Sequence, residues 1–286
     1  MWIILAALAA VCQASTDALY KKNLRNTKLN GISLCLGTYI FAVLFLLPIA
    51  LLNVPEHIGK PFYYIIPVIG VLDSLAMFFY MKSLQTGDLG NVIPLQTTTP
   101  LFALFFAPLF LDEHITIIGV IGILLMTLGI YCLNIKDLKK NYFSPFKSVF
   151  TKKENRYMLT TALIWSFTTC LHKIGMQNSN PVFWLLFARI PLLIFFLIVF
   201  ILKKENFNVI KNNLHSFTTL GFLNAITSYF YYISFFIGIT VYAMVIKRTS
   251  VLISIALGAY LYKELNVKEH VIGATIMIAG CLCIAI

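Results

Sequence analysis

Short polar breaks divide this chain into ten apolar runs: residues 1–20, 31–52, 61–85, 91–110, 116–135, 157–177, 181–202, 214–238, 241–261 and 267–286. A helix needs about 20 largely apolar residues to cross a hydrocarbon core about 30 Å thick, so each run has the length of a membrane span. Charged residues make up only 12% of the chain and hydrophobic residues 59%, with a mean hydropathy of +0.86. A water-soluble surface carries roughly twice that charge. The expectation is an all-α polytopic membrane protein of ten transmembrane helices, with no room left for a soluble domain.

The first run lacks a basic start and carries Gln13, Ser15, Thr16 and Asp17 in its second half. A secretory signal would be apolar there, so the run is read as the first helix. Cys12, Cys35, Cys132, Cys170, Cys281 and Cys283 all fall inside apolar runs, without CxxC pairing or metal-ligand spacing. They are expected to be packing residues, and no cofactor or metal is expected.

The net charge of +11 lies mostly in the connections. In a soluble protein such a charge suggests nucleic acid; beside membrane spans it reports topology. The connections after the first, fifth, seventh and ninth runs carry Lys21, Lys22, Arg25 and Lys28; Lys136, Lys139, Lys140, Lys147, Lys152, Lys153 and Arg156; Lys203, Lys204 and Lys211; and Lys263 and Lys268. The opposite connections carry only Lys60. The positive-inside rule makes the first face cytoplasmic, which puts both termini outside. The basic stretch 136–156 divides the chain into halves, 1–135 and 157–286. It is expected to be a solvated connector, with anionic lipid head groups as its alternative partner.

The halves repeat. Glu113 meets Glu264 at a shift of 264 − 113 = 151, and the same ungapped register pairs Gly70 with Gly221, Tyr80 with Tyr231, Ser83 with Ser234, Thr98 with Thr249, Gly122 with Gly273 and Gly129 with Gly280. Apolar composition alone produces leucine and isoleucine matches, so the glycines, glutamates, tyrosines and threonines carry the weight. Five spans per half is an odd number. The second half therefore enters from the opposite face, and the expected repeat is inverted, with its pseudo-two-fold axis in the membrane plane. Such halves can rock about a shared site. The glycines at a spacing of seven in the last helix of each half are expected to let helices pack closely.

An ionisable side chain at the centre of a span costs about 2.5–3.5 kcal/mol on insertion scales, so each deep charge requires a reason. Asp73 lies near the middle of the third run and is matched by Asn224. It is a candidate for binding a cationic substrate group or a coupling proton, against a structural hydrogen bond between helices. Lys247 and Arg248, about two turns inside the ninth run, are matched by Gln96 and Thr97. The inverted axis brings Gln96 and Lys247 to one cavity, where the cationic pair favours a carboxylate or phosphate; pairing with Asp73 or a helix-end carbonyl is the alternative. Arg189 is deep enough to line the cavity or to clamp two helices, with packing the first expectation. Tyr80 and Tyr231 are expected near the axis as a stacking surface. Asp17, His172 and Lys173 lie nearer helix ends and are expected to anchor at the interface. Glu113 and Glu264 are expected to cap helix starts.

The strings LDEHITIIGVIGILLMTLGIY (111–131) and YKELNVKEHVIGATIMIAGCL (262–282), with Pro94, Pro100 and WSFTTCLHK (165–173), resemble the EamA-type drug/metabolite transporter superfamily over the whole chain. The resemblance implies ten helices as two five-helix domains, a central cavity, and export or exchange of small metabolites, with both termini in the cytoplasm. Val251 stands where Pro100 would predict a proline, so the ninth helix is expected to be less kinked.

The function expected is secondary active transport of a small polar metabolite by alternating access, across what is expected to be a bacterial inner membrane, as a monomer or homodimer. Protons are the candidate coupling ion. No Walker motif is present to drive primary transport, and no HExxH, paired aspartates or Ser with His suggests an enzyme. A lipid or undecaprenyl-type flippase and a non-transporting membrane subunit are the alternatives.

Overall fold

The computed structural model describes residues 1–26, 29–111, 117–133, 149–237, 240–262 and 267–285. Among them every regular element is helical. The first half comprises α1 (Trp2–Asn26), α2 (Gly31–Leu51), α3 (Lys60–Thr86), α4 (Leu89–Val92), a 3-10 turn (Ile93–Thr97), α5 (Thr98–Leu111) and α6 (Ile117–Leu133). The second comprises α7 (Lys153–Gln177), α8 (Pro181–Leu202), the short α9 (Asn208–Asn212), α10 (Leu214–Ile237), α11 (Thr240–Arg248), α12 (Ser250–Tyr262) and α13 (Val267–Ala285). By length and hydropathy, four described helices are able to cross a membrane: residues 2–25, 31–51, 60–86 and 181–202. Glu113, Glu264 and most of the basic connector lie outside the described residues.

The register read from the sequence extends to a helix start. A shift of 151 carries Trp2, the first residue of α1, to Lys153, the first residue of α7. The helix starts share their chemistry as well. Asn30 caps α2 by accepting the Ser33 N–H at 2.8 Å, and Asn180 caps α8 by accepting the Val182 N–H at 2.9 Å, satisfying donors that an unfinished first turn leaves open.

Packing is exchanged between the halves. α3 packs on α7 as α10 packs on α1, and α3 on α8 as α10 on α2, while α2 meets its counterpart α8 and α6 meets α13. Glycine permits three of these approaches. A Cβ on Gly70 would strike Pro191 of α8, one on its repeat mate Gly221 would strike Phe41 of α2, and one on Gly129 would come 2.7 Å from the Gly273 carbonyl oxygen in α13.

The bundle has an apolar outer face as well as an apolar core, and buries several polar groups. Ile194, Ile198 and Ile201 make an exposed stripe along α8, whereas Asp17, Asp73, Ser74, Thr38 and Ser166 are buried. An exposed apolar face with the charged groups held inside suits a lipid surround.

Two segments depart from the sequence reading. The run 91–110 is not one helix: α4 gives way to the 3-10 turn over Ile93–Thr97 before α5 begins. Pro94 removes one backbone donor there, and the hydroxyls of Thr97, Thr98 and Thr99 turn back onto the carbonyls of Pro94, Leu95 and Gln96 at 2.6–2.7 Å. The run 241–261, expected to be less kinked for want of a proline, is also interrupted, at Thr249. Its hydroxyl donates to the Ile246 carbonyl at 2.7 Å, and its N–H reaches the same oxygen at 3.0 Å. Thr98 with Leu95 and Thr249 with Ile246 are equivalent pairs in the repeat, so threonine back-bonding accompanies the break in both halves.

Candidate functional site

The broken segments place polar side chains at the middle of the bundle, where they border a cavity of about 120 Å³. All eight residues singled out from the sequence line it: Asp73, Tyr80, Gln96, Arg189, Asn224, Tyr231, Lys247 and Arg248. Gln13, Thr16, Trp165, Thr168, His172, Thr227, Ser228 and Tyr232 are among the other lining residues.

Gln96 and Lys247 both border the cavity. Gln96 pairs with Arg248, whose guanidinium Nη1 donates to the Gln96 Oε1 at 3.0 Å. Lys247 instead places its ammonium 4.0 Å from the centroid of the Tyr231 ring, a cation–π contact. Asp73 engages neither of these cations. Its Oδ2 lies 2.9 Å from His172 Nε2, and its Oδ1 is buried without a protein hydrogen bond. Arg189 both lines the cavity and joins helices, donating from Nη2 to Ser228 Oγ of α10 at 2.7 Å while its Nε has no protein acceptor. The Asn224 Oδ1 and Gln96 Nε2 are likewise buried with no protein partner.

Two residues expected at the interface are buried instead. His172, 5% exposed, belongs to the cavity wall. Asp17, fully buried, sits behind that wall and accepts hydrogen bonds from Tyr80 Oη at 2.5 Å, Gln13 Nε2 at 2.7 Å and Ser254 Oγ at 3.3 Å. The reason is geometric. Position along a helix gives depth in the membrane, but only rotation about the helix axis decides whether a side chain faces lipid or the bundle. A carboxylate that accepts three side-chain donors is compensated for its burial, and it ties α1 to α3 and α12.

At the end of the bundle that carries the C-terminus of α1, further bonds bring the helices together. Lys21 of α1 donates to the Leu84 and Gly87 carbonyl oxygens at 2.9 and 2.5 Å, closing the C-terminal end of α3, where a cation also meets the helix dipole favourably. Tyr262 Oη donates to the Ala18 carbonyl at 2.6 Å, Ser83 Oγ to the Glu154 carbonyl at 2.8 Å, and Asn91 Nδ2 to Asn155 Oδ1 at 3.2 Å.

Among the described residues, no three His, Cys, Asp or Glu side chains come together to hold a metal ion. The charged content of the cavity wall is Asp73 against Arg189, Lys247 and Arg248. Its aromatic content includes Tyr20, Tyr39, Tyr80, Trp165, Tyr231 and Tyr232.

Comparison with known proteins follows the same division into halves. A crystal structure of a protein 14% identical in sequence matches 99% of this chain and 95% of its own, with a TM-score of 0.66, a likeness of fold. No curated protein sequence matches. The model of the EamA-like transporter family matches residues 1–135 and again residues 153–286. With nearly all of its length matched in two copies, the chain belongs to the EamA-like transporter family.

Proposed function

We propose that the chain is a secondary active transporter of a small polar metabolite bearing an anionic group, exported or exchanged by alternating access. It crosses the membrane ten times as two inverted five-helix halves, 1–135 and 157–286, joined by the basic connector. The cavity where the broken segments of the halves meet is its substrate site, and the face bearing the basic connections is cytoplasmic.

The observation that carries this reading is the charge of the cavity wall, three cations against one carboxylate. Held in the low dielectric of a bundle, such an excess attracts a carboxylate or phosphate more strongly than it would in water. Arg248 and Arg189 offer planar guanidinium donors and Lys247 a compact ammonium, while Asp73 selects among anions by repelling those with too much charge. The bonds of Lys21, Tyr262, Ser83 and Asn91 lie at the ends of their helices on the basic face. Opening the cavity toward that face requires them to break, and the exchanged packing of the halves supplies an equivalent set of elements to close the other.

The test is flux in proteoliposomes holding folded, monodisperse protein, offered a panel of carboxylates, phosphate esters, amino acids and nucleosides. Saturable, gradient-dependent flux of a compound with an anionic group supports the proposal; none for any compound removes it.

A further inference from the structure

One buried side chain next to the cavity is linked by hydrogen bonds to two that line it. Trp184, one turn into α8, is fully buried and absent from the cavity wall. Its indole Nε1 lies 3.0 Å from His172 Nδ1, and His172 Nε2 lies 2.9 Å from Asp73 Oδ2. An indole N–H donates and cannot accept. Nδ1 must then present its lone pair to Trp184, which leaves the ring proton on Nε2 and makes Asp73 Oδ2 the acceptor. The reverse arrangement, with a protonated Asp73 Oδ2 donating to Nε2, would put a proton on Nδ1 and set it against the indole N–H.

The indole is held where this requires. Gly175, one turn along α7 from His172, lies so close that any Cβ there would collide with the six-membered ring. The Phe62 ring meets Trp184 edge-on with centroids 5.4 Å apart, and the Tyr232 ring meets His172 at 5.1 Å. With Nδ1 and Nε2 both engaged, His172 has no nitrogen left for a ligand. Asp73 does have a free atom: Oδ1, buried and without a protein hydrogen bond, on a residue that lines the cavity.

We infer that Trp184 is a positioning residue of the substrate cavity: through His172 it fixes which oxygen of Asp73 is occupied and presents the other to a hydrogen-bond-donating group, an ammonium or a hydroxyl, on the transported molecule. This rests on the reading of the cavity as the substrate site and narrows it to molecules that carry a donor beside their anionic group, because Asp73 and the cations Arg189, Lys247 and Arg248 border the same space.

The inference is tested without a transport assay, so its failure is separable from failure of the transporter reading. Full-length protein in nanodiscs is labelled with 15N histidine and with 13C at the aspartate carboxyls. The His172 and Asp73 signals are assigned by their loss in His172→Asn and Asp73→Asn among the five histidines and the aspartates. In the unsubstituted protein, His172 is expected as the Nε2–H tautomer with Nδ1 hydrogen-bonded. In Trp184→Phe, which keeps an aromatic ring and removes the donor, the Nδ1 signal moves toward that of a free ring nitrogen. The Asp73 carboxyl signal shifts with it, although Trp184 does not touch that group, and the other histidine signals stay in place as the check on folding. A proton found on Nδ1 in the unsubstituted protein overturns the inference whatever the variant does. So does a folded Trp184→Phe protein with both signals unmoved. If Trp184→Phe does not fold, Gly175→Ala, which displaces the indole, is read in the same way.

Discussion

Arg248 donates a hydrogen bond to Gln96 at 3.0 Å, and this contact joins the interrupted segment of one half to that of the other. Gln96 sits in the 3-10 turn and Arg248 is the last residue of α11 before the break at Thr249, so the pair bridges the halves where both apolar runs are interrupted. A rocking motion of one half against the other must pass through it.

Removing the acceptor tests the coupling. Gln96→Leu leaves the Arg248 fork short of one partner, and a hydrogen bond to a charged group is worth about 1.5–3 kcal/mol, tenfold or more in an equilibrium constant. The expected outcome is folded protein whose half-saturation constant for flux rises by about tenfold, measured over a substrate titration in proteoliposomes. Arg248→Lys keeps the charge and loses the planar fork, and is expected to fall on the same side.

Asp73→Asn preserves the volume of the side chain and an oxygen for His172 while removing the one carboxylate that the described residues contribute to the cavity wall. The expected result is a folded protein whose competition profile shifts toward more highly charged anions. Unchanged ranking of mono- and dianions as competitors would show that Asp73 does not discriminate among them.

Lys21→Met keeps the aliphatic stem but strips the donors from the Leu84 and Gly87 carbonyl oxygens. Two buried acceptors at the end of α3 are then left open, at a cost of about 1–3 kcal/mol each. The thermal midpoint in detergent is expected to fall clearly below that of the unsubstituted protein, and protease sensitivity is expected to rise in the connections on the basic face.

Gly129→Ala places a methyl group 2.7 Å from the Gly273 carbonyl and 2.9 Å from the Met277 nitrogen, both backbone atoms of α13. Backbone cannot swing aside as a side chain can, so α6 and α13 must separate, an overpacking of about 1–3 kcal/mol. Lower thermal stability with the helical circular dichroism spectrum preserved is the expected signature.

A reporter fused after Ile286 distinguishes two expectations about topology. The distribution of lysine and arginine between the faces puts the C-terminus outside. The family resemblance puts it in the cytoplasm. Activity of an alkaline-phosphatase fusion, which requires export, supports the charge distribution, and fluorescence of a cytoplasmic reporter supports the other.

The sequence made some of this architecture visible and hid the rest for identifiable reasons. The repeat was legible because Gly70 and Gly221 do the same work at equivalent helix crossings and cannot be replaced without collision. The cavity residues were legible because Asp73, Lys247 and Arg248 are too deep to reach water along a helix and have nowhere else to go. The burial of Asp17 and His172 is not legible in the sequence, because distance from a helix end says nothing of which way the side chain faces. Trp184 is not legible as a neighbour of the cavity because a tryptophan in an apolar run reads as packing; its hydrogen bond is to a residue twelve positions away on another helix. The break at Thr249 was hidden because it does not need a proline. The threonine hydroxyl competing for the Ile246 carbonyl marks the same place.

The central claim is that the cationic wall of the cavity carries the transported anion. It is tested most directly by counterflow: proteoliposomes preloaded with an unlabelled panel compound that supports flux take up its labelled form through the unsubstituted protein, through Lys247→Gln with Arg248→Gln, and through Lys203→Gln as a control outside the cavity. The account predicts saturable uptake by the first and the control, and loss of at least nine-tenths of it, about 1.4 kcal/mol, in the double variant with folding intact. Uptake by the double variant equal to that of the unsubstituted protein would contradict it.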